Sequence, residues 1–367
     1  TLARTCGVSA AEINQVAKLY NKSRHVIFAW GMGMTHHLHG VTNIESISNL
    51  ALMRGMVGKQ SAGLLPLRGH SNVQGIGTIG VKPVLPAEVF HRLETELNVK
   101  LPIQPGMHTL ASLDAAHAGH IDVAMMVGGN LLEASPDRAW TTQAFDRIAT
   151  KIYLTTTLNR GHLLSKDSGE VNILPVCARD EEPEPTTQES MFHYVRLSDG
   201  GIQRIASVRS ESTILADIGT KLLKHLPFDF EEFRGHQKIR QAISRVIPGM
   251  EDLADIDVAK REFHVRGRVL HSPDFKTPDK KANFVSVNAT ADDTQTSDFM
   301  LMSIRSEGQF NSIIYEENDS YRGVDNRWTV LLNLQDALEL GVSNGDLVDL
   351  TSSQGCMSKV TVQIFNI

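Results

Sequence analysis

Three short apolar runs, each ending in a turn, constrain the fold of this chain more than any other feature. His25-Val-Ile-Phe-Ala-Trp30 stops at Gly31-Met-Gly33, Val123-Ala-Met-Met-Val127 stops at Gly128-Gly-Asn130, and Lys151-Ile-Tyr-Leu-Thr155 runs into Thr156. Apolar, β-rich runs of this length between turn residues read as buried strands. Helical patterns separate them. Ser9-Ala-Ala-Glu12 is a capping box, with Ile13, Val16, Ala17 and Tyr20 following at helical spacing. Further helices are predicted over 41–56, 86–97 and 107–118 and after Pro136-Asp137. Strands alternating with helices predict a parallel α/β sheet of Rossmann-like type. Ligands of such sheets bind beyond the C-terminal strand ends, where the turns 31–33, 128–130 and 155–159 fall.

The rest of the chain divides by texture. Residues 57–84 are rich in Gly and Pro with little periodicity, and a loop of that length is usually functional. Asp180-Glu-Glu-Pro-Glu-Pro185 reads as an exposed acidic loop, helices resume over 211–246, and 247–298 is irregular. From Phe299 the pattern turns to β, with strands predicted at 299–304, 346–350 and 359–364 and one helix at 334–340. The expected domains are an α/β domain (1–246), a connecting segment (247–298) and a small β-barrel (299–367).

Composition narrows the function. Of 367 residues, 41% are hydrophobic and 21% charged, enough for a sizeable core. The net charge of -6 argues against nucleic acid as the main ligand, since phosphate backbones need a basic face. A few arginines and backbone N–H groups would still suffice for an anionic cofactor. Cys6, Cys177 and Cys356 are too scattered for a disulfide framework or an iron–sulfur site, and a reducing, cytoplasmic setting is expected. No apolar run of about 18 residues predicts a membrane span. The first residues carry neither an initiator Met nor a signal-peptide pattern, and read as a cut inside a longer chain.

Four segments carry candidate chemistry. Pro66-Leu-Arg-Gly-His-Ser-Asn-Val-Gln-Gly75 crowds Arg68, suited to planar two-point contact with an anion, among polar side chains and glycines. An ordinary polar surface loop competes evenly with that reading. Gly31-Met-Gly-Met-Thr-His-His-Leu-His39 offers three histidines, but their spacing specifies no metal site, so no metal ligand is assigned. Asn130 stands at a strand end, whereas Ser135 or Asp137 is expected to cap the next helix. Arg305-Ser-Glu-Gly-Gln-Phe-Asn311 places a second arginine beside a glycine, where a locally bonded turn competes evenly. There is no convincing nucleophile–base pair and no phosphate-binding P-loop. Residue chemistry alone reaches a chain that binds a polar, anionic ligand.

Taken in order, these segments resemble the molybdopterin oxidoreductases, the family that includes formate dehydrogenase and DMSO reductase. Arg68-Gly-His-Ser-Asn-Val-Gln-Gly75 is similar to the family pattern R-G-x-x-N-x-Q-G. Gly129-Asn130 resembles G-x-N-P with Leu131 in place of proline, and Phe275-Lys-Thr-Pro-Asp-Lys-Lys-Ala-Asn-Phe284 resembles F-x-T-P-x-G-K-A-x-F with Lys280 in place of glycine. Residues 332–337, 340–341 and 344–348 resemble the family's C-terminal barrel, of double-psi, aspartate-decarboxylase-like type. The resemblance implies a cofactor of molybdenum or tungsten held by two molybdopterin guanine dinucleotides (bis-MGD). It implies Arg68 as the active-site arginine beside the metal, His70 as a neighbouring cofactor contact, and Met32 and His36 as pterin contacts. Asn130, Thr155 and Thr156 would be strand-end nucleotide contacts, Glu211 a partner for the guanine edge, and Arg305, Ser306 and Gln309 a cluster around the pterin. The family's metal-ligating residue and any iron–sulfur cluster belong to an N-terminal region with no counterpart here. The chain is thus expected to be a C-terminal portion, inert alone, ending within the barrel. The expected partners are a small anionic substrate, formate-like first, and an electron-transfer protein. A non-enzymatic nucleotide-binding or assembly module is the alternative, with slight support from Leu131 and Lys280. The central domain of a thiamine-dependent enzyme is a third reading, opposed by the β-rich end and the Arg68 loop.

Overall fold

The computed structural model describes residues 3, 6–163, 169–268, 270–287, 299–304, 319, 322–353 and 355–367. Two compact units emerge. Residues 1–128 and 137–295 form the first, and 129–136 group with 296–367 in the second.

The first unit opens with helix α1 (Ala10–Lys22), whose capping box forms as predicted: Glu12 N–H donates to Ser9 Oγ at 3.2 Å and Ser9 N–H to Glu12 Oε2 at 3.0 Å. Strand β1 (Ile27–Trp30) leads through a short helix α2 (Met32–Thr35) into α3 (Gly40–Met53). The stretch predicted as a long loop then yields strand β2 (Gly63–Pro66) and helix α4 (Val73–Thr78). β2 pairs parallel with β1 in the register Ile27–Gly63 to Trp30–Pro66. Gly-Leu-Leu-Pro has no β-branched residue and too few positions to alternate. It is a strand only because β1 lies beside it, a tertiary override of local propensity.

Helices α5 (Ala87–Leu97) and α6 (Thr109–His117) fall where the sequence predicts them. A second parallel sheet follows in the order β3 (Val123–Val127), β4 (Thr150–Thr155), β5 (Glu170–Pro175). β4 is buried as expected. β3 is not: it is an edge strand in this sheet, with Val123 and Val127 about half exposed. β5 escaped the sequence reading because Glu170 and Asn172 interrupt its apolar run. Lys151, fully buried within β4, donates through Nζ to the carbonyls of Phe145 (3.1 Å) and Ile148 (2.7 Å), ending α8 (Arg138–Asp146). Its chain lies among apolar neighbours while its ammonium supplies donors to a helix end.

An antiparallel sheet, β6 (Thr186–Glu189), β7 (Tyr194–Ser198) and β8 (Phe263–His264), completes this unit. Val195, Phe263 and Val265 pack with Val89, Val246, Ile247, Met250, Leu253 and Ile256 in one core cluster. Residues 247–265, irregular to the eye, therefore supply most of that core. The acidic run 180–185 is also not a free loop. Glu182 accepts the Ser210 hydroxyl at 2.5 Å, and Glu184 accepts the His236 backbone N–H at 2.7 Å. Each carboxylate thus sits at a helix N-terminus, that of α9 (Glu211–Leu222) or α10 (His236–Val246), where negative charge is stabilising.

The second unit holds a three-stranded sheet. β11 (Gly355–Ile364) lies between β10 (Leu347–Ser352), antiparallel, and β9 (Thr329–Leu332), parallel. Helix α11 (Leu334–Leu340) starts at Asn333, whose Oδ1 accepts the Asp336 N–H at 2.8 Å, and stops at Gly341 with φ +68°. Ala337 of this helix and Val360 and Val362 of β11 are buried. Among the described residues this is an open sheet and not a closed barrel. The strand predicted over 299–304 has no ladder partner among them either, and Met300, Leu301 and Met302 are exposed. An apolar run becomes a strand only through pairing.

Candidate functional site

The parallel register of β1 and β2 carries the main consequence for the site. Trp30 and Pro66 are partners at the last position of each strand, and Leu67 N–H extends the ladder to Trp30 O at 2.8 Å. The turn bearing Met32 and His36 and the turn bearing Arg68 and His70 therefore leave the same sheet edge from adjacent strands. All four side chains are exposed, and neither Arg68 nor His70 makes a hydrogen bond or ion pair among the described residues. His36 closes α2 through its own N–H to Met32 O at 2.8 Å, leaving its ring outward. His37 Nδ1 instead accepts the His39 N–H at 3.1 Å, a local bond. Among the described residues no three His, Cys, Asp or Glu side chains converge as a metal site.

Behind the exposed residues the Arg68 loop is tightly held. Ser71 Oγ accepts from Arg179 Nη1 at 2.8 Å. Asn72 adopts the left-handed conformation at φ +62°, and its Oδ1 accepts the Glu189 N–H at 3.0 Å. Gly75, buried in α4, lies so close that an added Cβ would meet Asn72 Oδ1 at 2.0 Å. The loop is thus a fixed base presenting two free polar side chains.

The second cluster lies at the ends of β4 and β5. Val176 N–H donates to Thr155 O at 3.1 Å, and Val176 bridges in parallel to Arg209, which brings Glu211 to this edge. Thr155 is buried and donates its hydroxyl to Thr157 O at 2.7 Å, so it shapes the turn, while Thr156 is exposed. Glu211, the first residue of α9, is half-buried and accepts no hydrogen bond among the described residues. Burial, and then the nearby Glu182 charge, hold its carboxyl above the usual carboxylate range. A desolvated carboxylate without donors suits a ligand edge that brings N–H groups.

Asn130 is already engaged. Its Oδ1 accepts the Glu133 N–H at 3.4 Å, capping α7 (Leu131–Ala134). Asp137 caps α8 as predicted, accepting Trp140 N–H at 2.9 Å, whereas Ser135 bonds back to Leu131 O. Arg305, Ser306 and Gln309 lie outside the described residues. Sequence reading missed Arg179, Glu182 and Glu189, which hold the candidate residues from behind. Only the acidic run at 180–184 gave any signal, and it pointed to an exposed loop.

Comparison with known proteins matches the two ends of the chain to two models. Residues 8–160 match the molybdopterin oxidoreductase model and residues 299–366 the molydopterin dinucleotide binding domain. An uncharacterized oxidoreductase of Mycobacterium tuberculosis is 33% identical over 362 residues, covering 96% of this chain and 46% of its own length. Protein YdeP of Escherichia coli is 31% identical, covering 95% of this chain and 47% of its own. Formate dehydrogenase H of Escherichia coli is 24% identical, covering 95% of this chain and 51% of its own. The chain spans about half the length of these curated relatives. The chain thus carries a segment similar to the molybdopterin oxidoreductases, with the Arg68 loop inside it, and after it a segment similar to the molydopterin dinucleotide binding domain.

Proposed function

We propose that this chain grips molybdopterin guanine dinucleotide, as the bis-MGD form with molybdenum or tungsten, and presents Arg68 to a small anionic substrate, formate first. The observation that carries the reading is the Trp30–Pro66 register, which sets the Met32–His36 and Arg68–His70 turns side by side. The residues present fit such a group. Added Cβ atoms at Gly31, Gly33 and Gly69 would meet nothing within 4 Å among the described residues, which leaves the backbone of both turns open to a ligand. The half-buried Glu211 carboxylate, without donors of its own, fits the N–H edge of guanine, beside the exposed Thr156.

The metal–pterin group would supply the two-electron redox step, formate going to carbon dioxide with release of one proton and two electrons. Arg68 would hold the carboxylate by its planar guanidinium and stabilise negative charge as it shifts. His70 and His36 would offer ring nitrogens to the pterin. An electron-transfer protein in a cytoplasmic setting would take the electrons. Residues 299–304, 322–353 and 355–367 would belong to a double-psi barrel, and Arg305, Ser306 and Gln309 would neighbour the pterin.

The test uses the protein expressed in full from its own gene in a molybdopterin-producing host. Molybdenum and tungsten are counted by mass spectrometry, GMP released by acid hydrolysis is quantified, and formate-dependent reduction of benzyl viologen is followed. Metal and GMP with dye reduction support the reading. Metal and GMP without it retain the cofactor and reject formate. Absence of both favours a non-enzymatic module.

A further inference from the structure

We infer that Glu189 is a positioning residue for the Arg68 loop, clamping α4 at both ends so that Arg68 and His70 are presented in one geometry. This rests on the proposed role of Arg68.

Glu189 is the last residue of β6 and its side chain is 1% exposed. Its backbone N–H donates to Asn72 Oδ1 at 3.0 Å, immediately before α4 begins. Its carboxylate works at the other end of the same helix. Arg268 Nη2 donates at 3.0 Å both to Glu189 Oε1 and to the Thr78 hydroxyl. Asn72 and Thr78 bracket the six residues of α4, so one buried residue grips both its start and its finish. His193 Nδ1, 3.1 Å from Glu189 Oε1, holds the carboxylate from β7's side. Burial alone would push this carboxyl up, but hydrogen bonds from His193 and Thr78 and the charge of Arg268 outweigh it.

A buried charge costs free energy unless it is paired and hydrogen-bonded. Here the pairing links β6, α4 and the segment around Arg268, which are far apart in sequence. Arg268 Nε is buried with no hydrogen-bond partner among the described residues. What the pairing achieves is placement: with the ladder bond at Leu67 on one side and Asn72 on the other, four residues remain between the two anchors. Arg68 and His70 are two of those four. A guanidinium that orients a small anion must be held within a fraction of an ångström.

Two variants test this in the full-length holoenzyme. Glu189→Gln removes the charge that holds Arg268. Asn72→Gly keeps the left-handed backbone, leaves the ion pair intact and removes only the side-chain link. Deuterium exchange at 69–78 should rise at least tenfold in each, with exchange at β4 unchanged. Formate-dependent dye reduction by Glu189→Gln should lose about tenfold in kcat/KM at unchanged metal content. In an Arg68→Ala background the same substitution should change kcat/KM less than twofold, which a merely structural role would not produce. Unchanged exchange in the variants overturns the inference, as does a tenfold loss persisting without Arg68. If Glu189→Gln does not fold, Asn72→Gly decides alone. Should Arg68→Ala itself keep full turnover, or formate not react, the proposed function fails. Exchange at 69–78 then decides the clamp by itself.

Discussion

Trp30 and Pro66 end their strands as register partners, and two residues beyond Pro66 stands Arg68. The arginine is exposed and unpaired among the described residues, so it contributes little to folding. On the proposed function, Arg68→Ala is expected to lower formate-dependent kcat/KM by about 10²- to 10³-fold, the usual loss of one charge-stabilising donor. Unfolding free energy should move by less than about 0.5 kcal/mol. Steady-state kinetics and urea melts on the same preparation check both halves.

Gly75 makes the opposite kind of prediction. Its space is filled by Asn72 Oδ1 and, behind it, Glu189 N. Gly75→Ala must displace the Asn72 side chain from its bond to β6. A cost of about 1–3 kcal/mol is expected from such overpacking. Gly77, two residues on, has nothing within 4 Å of its added Cβ. Gly77→Ala is the control, and its melting temperature should match or exceed the parent's.

These two residues mark how much the sequence could reveal. The Arg68 loop was legible because it packs a cation, polar side chains and glycines into ten residues. So were β1, β4 and the helix caps at Ser9 and Asp137, which depend on local pattern. β2, β5 and β6 were not, since four to six residues with polar or proline interruptions become strands only beside a neighbour. Without β2, nothing in the local pattern set the Arg68 turn on the strand beside the one that leads to Met32 and His36. Glu189 was invisible for the same reason: its partners Asn72 and Arg268 are 117 and 79 residues away. The acidic run misled because half of its carboxylates face helix N-termini rather than water.

Glu211 should show a trade between stability and binding. Its folded pKa is raised above the ordinary 4.5, so the folded protein binds its proton more tightly than the unfolded chain does. The ionised carboxylate therefore destabilises the fold once pH rises past 4.5, and the penalty is complete above the folded pKa. Glu211→Gln should melt higher than the parent at pH 7 and alike at pH 3. GDP affinity, measured by calorimetry on the metal-free protein, should fall at least tenfold if this carboxylate reads guanine. A lower melting temperature at pH 7 would contradict the burial argument.

His162 carries a titration of the other kind. It is buried against Tyr153 with ring centroids 4.6 Å apart, and its Nδ1 accepts the Asn159 N–H at 3.3 Å. Burial lowers its pKa below the ordinary 6.5. Stability from the neutral ring is therefore present above 6.5 and lost as pH falls from there through the folded pKa. Protonation would cost the Nδ1 acceptor as well as burying a charge. His162→Asn, which keeps an acceptor and cannot titrate, should flatten the urea stability curve below pH 6.5. A residual slope is expected from His271, which burial and neighbouring cations also lower.

Lys280 stands where relatives of this family are expected to carry glycine, and its backbone keeps a glycine's conformation, with φ +58°. The turn survives around it: Lys280 N–H donates to Thr277 O at 3.1 Å, and the Thr277 hydroxyl to Lys281 O at 2.8 Å. A side chain in the left-handed region costs about 1–2 kcal/mol, partly offset because glycine loses more entropy on folding, by roughly 0.5–1 kcal/mol. Lys280→Gly should therefore stabilise the protein by about 0.5–1 kcal/mol, read as a higher urea midpoint at unchanged slope. That outcome would mean the departure from the family pattern is a tolerated strain on an intact turn. It would remove one of the two grounds for reading this chain as a degenerate, non-catalytic module. A destabilised Lys280→Gly variant would instead show that the lysine itself has been recruited to hold the turn.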